Sequence, residues 1–287
     1  MPTPRITIVG SINMDLVTTV TKFPKQGETV LGKEFHTSPG GKGANQAVAA
    51  ARLGADVSII GKVGHDAFGK ELYLHLKKEG IQMDGVAREE SVSTGIANII
   101  LYDGDNRIMV VPGANHAVTP DYVEQCKDKL LGSDMVLMQL EIPLETIKWC
   151  ADFCYEHGIP YIINPAPAAE IPEAVWTKSL YITPNEEEAA QLFGINEDKY
   201  KSKLIKTLGS KGAQYKDKII PGYQSKVVDT TGAGDTFNGA LAFYVASGLE
   251  VENAIRRANI AASIAIERMG AQEGMPTYDE VKERLES

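Results

Sequence analysis

Cysteine is scarce: Cys126, Cys150 and Cys154 are the only three in 287 residues. An odd, sparse count in a chain this size builds no disulfide framework and fits a reducing compartment. Cys150 and Cys154 stand four apart in a helical pattern, but no second His or Cys pair is spaced to complete a zinc site. They read as small core residues. Long apolar runs are missing as well. No stretch of roughly 18 consecutive residues is apolar, which argues against a membrane span. The run 6–9 behind Met-Pro-Thr-Pro-Arg is too short for a signal segment. Positive charge is in deficit, with 29 Lys and Arg against 38 Asp and Glu, a net charge of -9. Such a surface repels nucleic acid and anionic membranes, so neither is expected as a partner. A cytoplasmic protein is expected. Two phosphate signatures are also absent: no lysine is followed by Ser or Thr in P-loop spacing, and no dinucleotide glycine fingerprint occurs.

What is present suits a soluble α/β protein, with 43% hydrophobic and 23% charged residues. Short apolar runs at 6–9, 57–60, 135–138, 161–163 and 181–183 read as buried strands. Helical patterns alternate with them, including an alanine-rich helix over 44–53 stopped by Gly54. The expected fold is therefore α/β, a doubly wound, mostly parallel sheet with helices on both faces. Ligands bind such sheets beyond the carboxyl ends of the strands. Gly10-Ser-Ile-Asn13, Gln139-Leu-Glu141, Asn164-Pro-Ala-Pro167 and Thr183-Pro-Asn185 all fall there. Two stretches break the rhythm. Runs 17–20 with 28–35, and 94–102 with 107–111, read as strand pairs turning at Lys25-Gln-Gly27 and Asp103-Gly-Asp105. They form a small β-sheet lid, spanning about 12–37 and 94–112, inserted in a single domain of residues 1–287. A helix over 186–193 and a strand over 204–207 leave only 194–203 between them, a tight crossover.

The sharpest chemical signal is Asp229-Thr-Thr-Gly-Ala-Gly-Asp-Thr-Phe-Asn-Gly239. Phe237, Ala240, Leu241, Tyr244 and Val245 then share one helix face, which puts Gly232-Ala-Gly234 at a helix N-terminus. Backbone N–H groups and the helix dipole favour an anion there. Asp235 stands ready as a general base, or simply as the helix cap. Pro39-Gly-Gly-Lys-Gly-Ala-Asn45 opens the alanine-rich helix and offers N–H groups, a lysine and an amide to something hydroxylated or anionic. Thr207-Leu-Gly-Ser-Lys-Gly212 alone reads as a glycine turn.

Taken in order along the whole chain, these motifs resemble the ribokinase-like (PfkB) carbohydrate kinase family. Gly10-Ser-Ile-Asn-Met-Asp15, Gly40-Gly-Lys-Gly-Ala-Asn45 and Thr183-Pro-Asn-Glu-Glu-Glu188 belong to the same match. The resemblance implies ATP-dependent phosphorylation of a sugar, D-ribose at its 5-hydroxyl or another sugar or nucleoside of the family's range. It implies Asn13, Asp15, Gly41, Lys42, Asn45 and Glu141 for the sugar and Asp235 as base, with Gly232, Ala233 and Gly234 as anion hole. For ATP it implies Asn185, Thr207, Gly209, Ser210, Gly212, Gly234 and Asn259. Glu188 would be associated with Mg²⁺. Asp229, Thr231, Ala265, Arg268, Gly270 and Gly274 would form a loop for an activating K⁺, mostly through carbonyls, although Gly274 lacks a hydroxyl that some relatives carry. Relatives have a fuller crossover where this chain has only 194–204. A homodimer packed lid to lid is also implied, and it agrees with the apolar residues that the lid strands would leave uncovered.

Overall fold

The computed structural model describes residues 3–103 and 105–286. β1 (Arg5–Val9) is buried along its length after Arg5, as its apolar run requires. It passes through Ser11 and Ile12 into β2 (Asn13–Val20), and β3 (Gly32–Gly40) returns to α1 (Lys42–Arg52). β4 (Asp56–Gly64), α2 (Ala67–Lys78) and β5 (Val86–Glu89) follow, then the paired strands β6 (Gly95–Tyr102) and β7 (Asp105–Val111). Next come α3 (Pro120–Gln125), α4 (Lys127–Leu131), β8 (Met135–Gln139), α5 (Leu144–Glu156), β9 (Tyr161–Asn164), α6 (Glu173–Lys178), β10 (Tyr181–Ile182) and α7 (Glu186–Leu192). The chain finishes with β11 (Ile205–Thr207), β12 (Ala213–Tyr215), β13 (Lys218–Ile220), α8 (Ala233–Ala246), α9 (Val251–Ala265) and α10 (Tyr278–Glu286).

Six strands form one wholly parallel sheet in the order β10-β9-β8-β1-β4-β5. Helices cover both faces because successive strand residues point to opposite sides. Ile6 and Ile8 join the cluster that holds Val48, Leu241 and Ile260 on α1, α8 and α9. Val9 joins the other, with Ile147 and Cys150 on α5 and Trp176 on α6. The fully buried Cys150 and Cys154 are free core thiols, as their spacing suggested.

The lid is a separate four-stranded sheet, ordered β3-β2-β6-β7. β2 and β6 run parallel at its centre, while β3 and β7 pair antiparallel at its edges. One edge differs from expectation: β3 starts at Gly32 and reaches Gly40, so 28–31 is not strand. The cause is local. Glu28 N donates to the Lys25 carbonyl and Lys25 N donates to the Glu28 carboxylate, which ties 25–28 into a turn. β2 likewise begins at Asn13, inside what the sequence presents as a loop. Gly104 of the expected turn Asp103-Gly-Asp105 lies outside the described residues.

The crossover after α7 is the larger departure. A 3-10 turn over Gly194–Tyr200 replaces any full helix. β11 then pairs antiparallel with β12 in a three-stranded sheet instead of extending the main one. Two isolated parallel bridges, Ile182 with Leu204 and Asn185 with Thr207, join the two sheets.

Candidate active site

Two helix N-termini meet beyond the carboxyl ends of β1 and β8. α1 brings Lys42, Asn45 and Gln46, and α8 brings Asp235. Asp235 is not the helix cap. Gly232 is the N-cap of α8, without a side-chain capping bond, and Asp235 sits in the first turn with its carboxylate turned away from the helix. Asn45 Nδ2 donates to Oδ2 at 2.9 Å and Gln46 Nε2 donates to Oδ1 at 3.0 Å. Burial pushes the Asp235 carboxyl above the usual range, while the Lys42 charge and the two amides pull against that push. Of the glycine-loop N–H groups, that of Ala233 is directed to the Thr230 carbonyl at 3.3 Å. First-turn N–H groups of a helix have no intrahelical acceptor, so the end of α8 keeps its capacity for an anion.

The start of α1 behaves in the opposite way. Lys42 N donates to Glu141 Oε2 at 3.2 Å, Gly43 N to Ser11 Oγ at 3.3 Å and Ala44 N to the Ser11 carbonyl at 2.9 Å. Ser11 Oγ in turn donates to Glu141 Oε2 at 2.5 Å. The N–H groups of Lys42, Gly43 and Ala44 are thus committed to protein acceptors. The Lys42 side chain faces Glu141, with Nζ 3.7 Å from Oε1. Burial opposes the Lys42 charge, but Asp235, Glu141 and Glu188 around it outweigh burial and hold its pKa above the ordinary value.

Asp15, nearly buried on β2, lies in the same acidic field. Burial first, then the Glu141 and Asp235 charges, raise its pKa to about 7. Asn13 beside it is anchored by Asn115, whose Nδ2 donates to Asn13 Oδ1 at 2.6 Å and whose Oδ1 accepts from Ile12 N at 2.9 Å. Gly41 packs against the backbone of Asn13. The structure thus brings Asn13, Asp15, Gly41, Lys42, Asn45, Glu141 and Asp235 together under the lid. A cleft of about 670 Å³ runs from Asp15 between the lid strands and the 227–231 and 269–273 segments.

On the other side of the α8 N-terminus lies a separate cavity of about 270 Å³. Thr207, Gly209, Ser210, Gly212, Gly234 and Asn259 all line it, with Val227, Ala262 and Ile266 as apolar wall. Asn259 Nδ2 is held by the Ile220 and Pro221 carbonyls at 3.0 and 3.1 Å. Asn185 does not line this cavity; it caps α7 in a reciprocal capping box with Glu188. That box uses Glu188 Oε2, accepting from Asn185 N at 2.8 Å. Burial raises the Glu188 pKa against the pull of Lys42.

The candidate cation residues also gather, between α8, α9 and the lid cleft. Asp229 accepts from Thr231 N at 2.9 Å, Thr231 Oγ1 at 2.7 Å and Gly270 N at 2.9 Å. Burial opposes its charge, but those bonds prevail and hold its carboxyl below the usual range. A Cβ at Gly274 would stand 2.3 Å from the Ala265 carbonyl oxygen and 3.2 Å from that of Gly270, so these two oxygens converge where a side chain cannot go. The Arg268 guanidinium points elsewhere, to Glu280. Among the described residues no cluster of three or more His, Cys, Asp or Glu could hold a metal by side chains alone.

Sequence reasoning missed Gln46, Gln272 and Asn115. Gln46 touches the carboxylate itself, and Gln272 Nε2 donates to Asn45 Oδ1 at 2.8 Å. One signal was available: two adjacent amides, Asn45 and Gln46, interrupt an otherwise apolar alanine-rich helix. Nothing local marks Gln272 or Asn115, which act across 227 and 102 residues of chain.

Comparison with known proteins agrees with this geometry. The family profile described as pfkB family carbohydrate kinase matches residues 3–278. A curated ribokinase of Bacillus subtilis (strain 168) is 48% identical over 98% of this chain and 99% of its own length. A ribokinase of Lactococcus lactis is 46% identical, over 98% of this chain and 97% of its own. Among solved structures, Arabidopsis thaliana ribokinase complexed with ribose and ATP superposes with a TM-score of 0.92, at 31% identity, covering 99% of both chains. The chain belongs to the pfkB family of carbohydrate kinases.

Proposed function

We propose that the protein transfers the γ-phosphoryl group of ATP to the 5-hydroxyl of D-ribose, giving ribose 5-phosphate and ADP. The observation that carries this reading is the place of Asp235: it follows Gly234, which lines one cavity, and its charge acts on Asp15, which lines the lid cleft. Relatives sharing nearly half of this sequence end to end are ribokinases, which supports ribose as the acceptor.

In this mechanism Asp15 and Glu141 accept from ring hydroxyls while Lys42 and Asn45 donate, a mix that suits a polyol. Asp235 takes the proton of the 5-hydroxyl as that oxygen attacks the γ-phosphorus in line. Burial raises its pKa toward that of the alcohol, while the Lys42 charge and the two amides favour the ionised form. N–H groups at the start of α8 stabilise the charge on the transferred group. Lid closure excludes water, which would otherwise compete as acceptor. Glu188, whose charge is felt by Lys42 and Asp235, would help to hold Mg²⁺, and the ion would neutralise phosphate charge. The converging Ala265 and Gly270 carbonyls with ionised Asp229 fit a monovalent cation such as K⁺.

Release of ADP from MgATP with ribose, 2-deoxyribose, fructose and adenosine, each with and without K⁺, tests the assignment. Ribose should give the highest kcat/KM; a preference for adenosine or fructose would reassign the acceptor.

We further propose a homodimer in the cytoplasm; the exposed lid face supports the dimer. Phe35 is 64% exposed and Ile108, Met109, Val110 and Val111 about half exposed, along two edge strands. Soluble proteins usually cover such edges, and a two-fold pairing of lids would do so. Light scattering at micromolar concentration should give twice 31.1 kDa, more firmly with ribose present. A monomer under both conditions would remove the dimer.

A further inference from the structure

Each oxygen of Asp235 accepts one amide, and both amides belong to chains that run in a single direction. On one side Gln272 donates to Asn45 and Asn45 donates to Oδ2. On the other Gln139 Nε2 donates to Gln46 Oε1 at 2.6 Å, and Gln46 Nε2 donates to Oδ1 and to Asn164 Oδ1. A carboxylate only accepts, so every facing amide must turn its nitrogen inward, and the next amide must follow.

The far ends carry the mark of that direction. His75 Nε2 lies 2.7 Å from Gln272 Oε1, which accepts and so requires the proton on that ring nitrogen. Gln139 Oε1 is buried without a donor among the described residues. Flipping that amide would satisfy nothing, because two oxygens would then face each other at Gln46. A buried acceptor is left unmade so that Gln46 can present its nitrogen to Asp235.

We infer that Gln46 and Gln272 are positioning residues for phosphoryl transfer, acting through Asp235 and Asn45 to hold the base in one plane as an acceptor. The inference rests on reading Asp235 as the base. Gln272 adds a connection: its loop includes Gly270, whose N–H donates to Asp229, so the candidate cation segment reaches the base through two amides, those of Gln272 and Asn45. The charged groups facing Asp235 are Lys42 on α1, Glu141 after β8, Asp15 on β2 and Glu188 on α7. Lys42 favours its ionised form and the three carboxylates oppose it.

The test is kcat and KM against pH for the parent, Gln46→Leu, Gln46→Glu and Gln272→Leu, with melting temperatures alongside. Losing a donor to the charged carboxylate raises its pKa, so the acidic limb of kcat moves to higher pH in Gln46→Leu. Turnover at neutral pH should fall about tenfold, with KM for ATP little changed. Gln46→Glu keeps the side-chain shape, sets a further carboxylate against Asp235 and should move the limb further; it reports even if the leucine variant does not fold. Gln272→Leu should raise KM for ribose more than it lowers kcat, because Asn45 loses its anchor. Parent-like kcat and an unmoved limb in the Gln46 variants, with only lower melting temperatures, would overturn the inference. A parent without sugar-dependent ADP release would instead overturn the functional reading beneath it.

Discussion

Asp235→Asn is expected to turn over on the order of 10²–10⁴ times more slowly than the parent, the range for loss of a general base. The substitution keeps the volume but removes the ability to take a proton. It also replaces one accepting oxygen with an amide nitrogen, which then faces the donor nitrogen of Asn45 or Gln46. Binding of ATP should stay within a few-fold of the parent, because the cavity lined by Thr207, Gly212 and Asn259 is untouched. Steady-state kinetics in both substrates separates these effects. A variant that keeps more than a tenth of the parent kcat would sink the assignment.

Gly43→Ala should damage stability and activity together. Position 43 is inside α1, where alanine is favoured over glycine by up to about 1 kcal/mol on propensity alone. Packing decides the other way. A Cβ there would stand 2.6 Å from Gly10 C and from Ser11 N, both backbone atoms that cannot swing aside. Overpacking of this kind costs about 1–3 kcal/mol, sometimes more. Relief requires α1 to move off the end of β1, and α1 carries Lys42, Asn45 and Gln46. The melting temperature should fall by several degrees and ribose KM should rise. At Gly234 an added Cβ meets nothing within 4 Å, so Gly234→Ala is the stability control. A Gly43→Ala protein as stable as the parent would rule out this close packing of α1 on Gly10 and Ser11.

The parallel sheet was legible because β1, β4, β8 and β9 are buried on both faces and so read as unbroken apolar runs. Phe237, Ala240, Leu241 and Tyr244 are buried on α8 as their spacing implied, but so is every residue from Thr236 to Tyr244, and Val245 is only partly buried. Asp235 was legible for the same reason, since a helix face fixes where its N-terminus lies. The lid edges were harder. β3 is exposed over most of its length, so its bounds follow from a turn closed by Glu28 and carry no hydrophobic pattern. The 194–204 stretch gave a length but not a conformation, and the departure of β11 into its own sheet depends on pairing with β12. The amide chains lay furthest from view. Gln46, Gln139 and Gln272 come from three distant parts of the chain, and only the folded state shows which way each amide points.

The two cavities divide the polypeptide as well as the space. Every residue lining the proposed nucleotide cavity falls between Thr207 and Ile266, while the proposed sugar residues other than Asp235 fall between Asn13 and Glu141. The end of α8 is the seam between them. The proposed polar contacts to the acceptor and the walls of the other cavity are therefore written largely in separate stretches of the chain, although the lid cleft also takes walls from 227–231 and 269–273. Mutations drifting through the first half can alter which alcohol is held under the lid while the phosphoryl donor stays where it is. A laboratory search for new acceptors can begin with the lid strands and the start of α1, and extend to the 227–231 and 269–273 walls of the cleft.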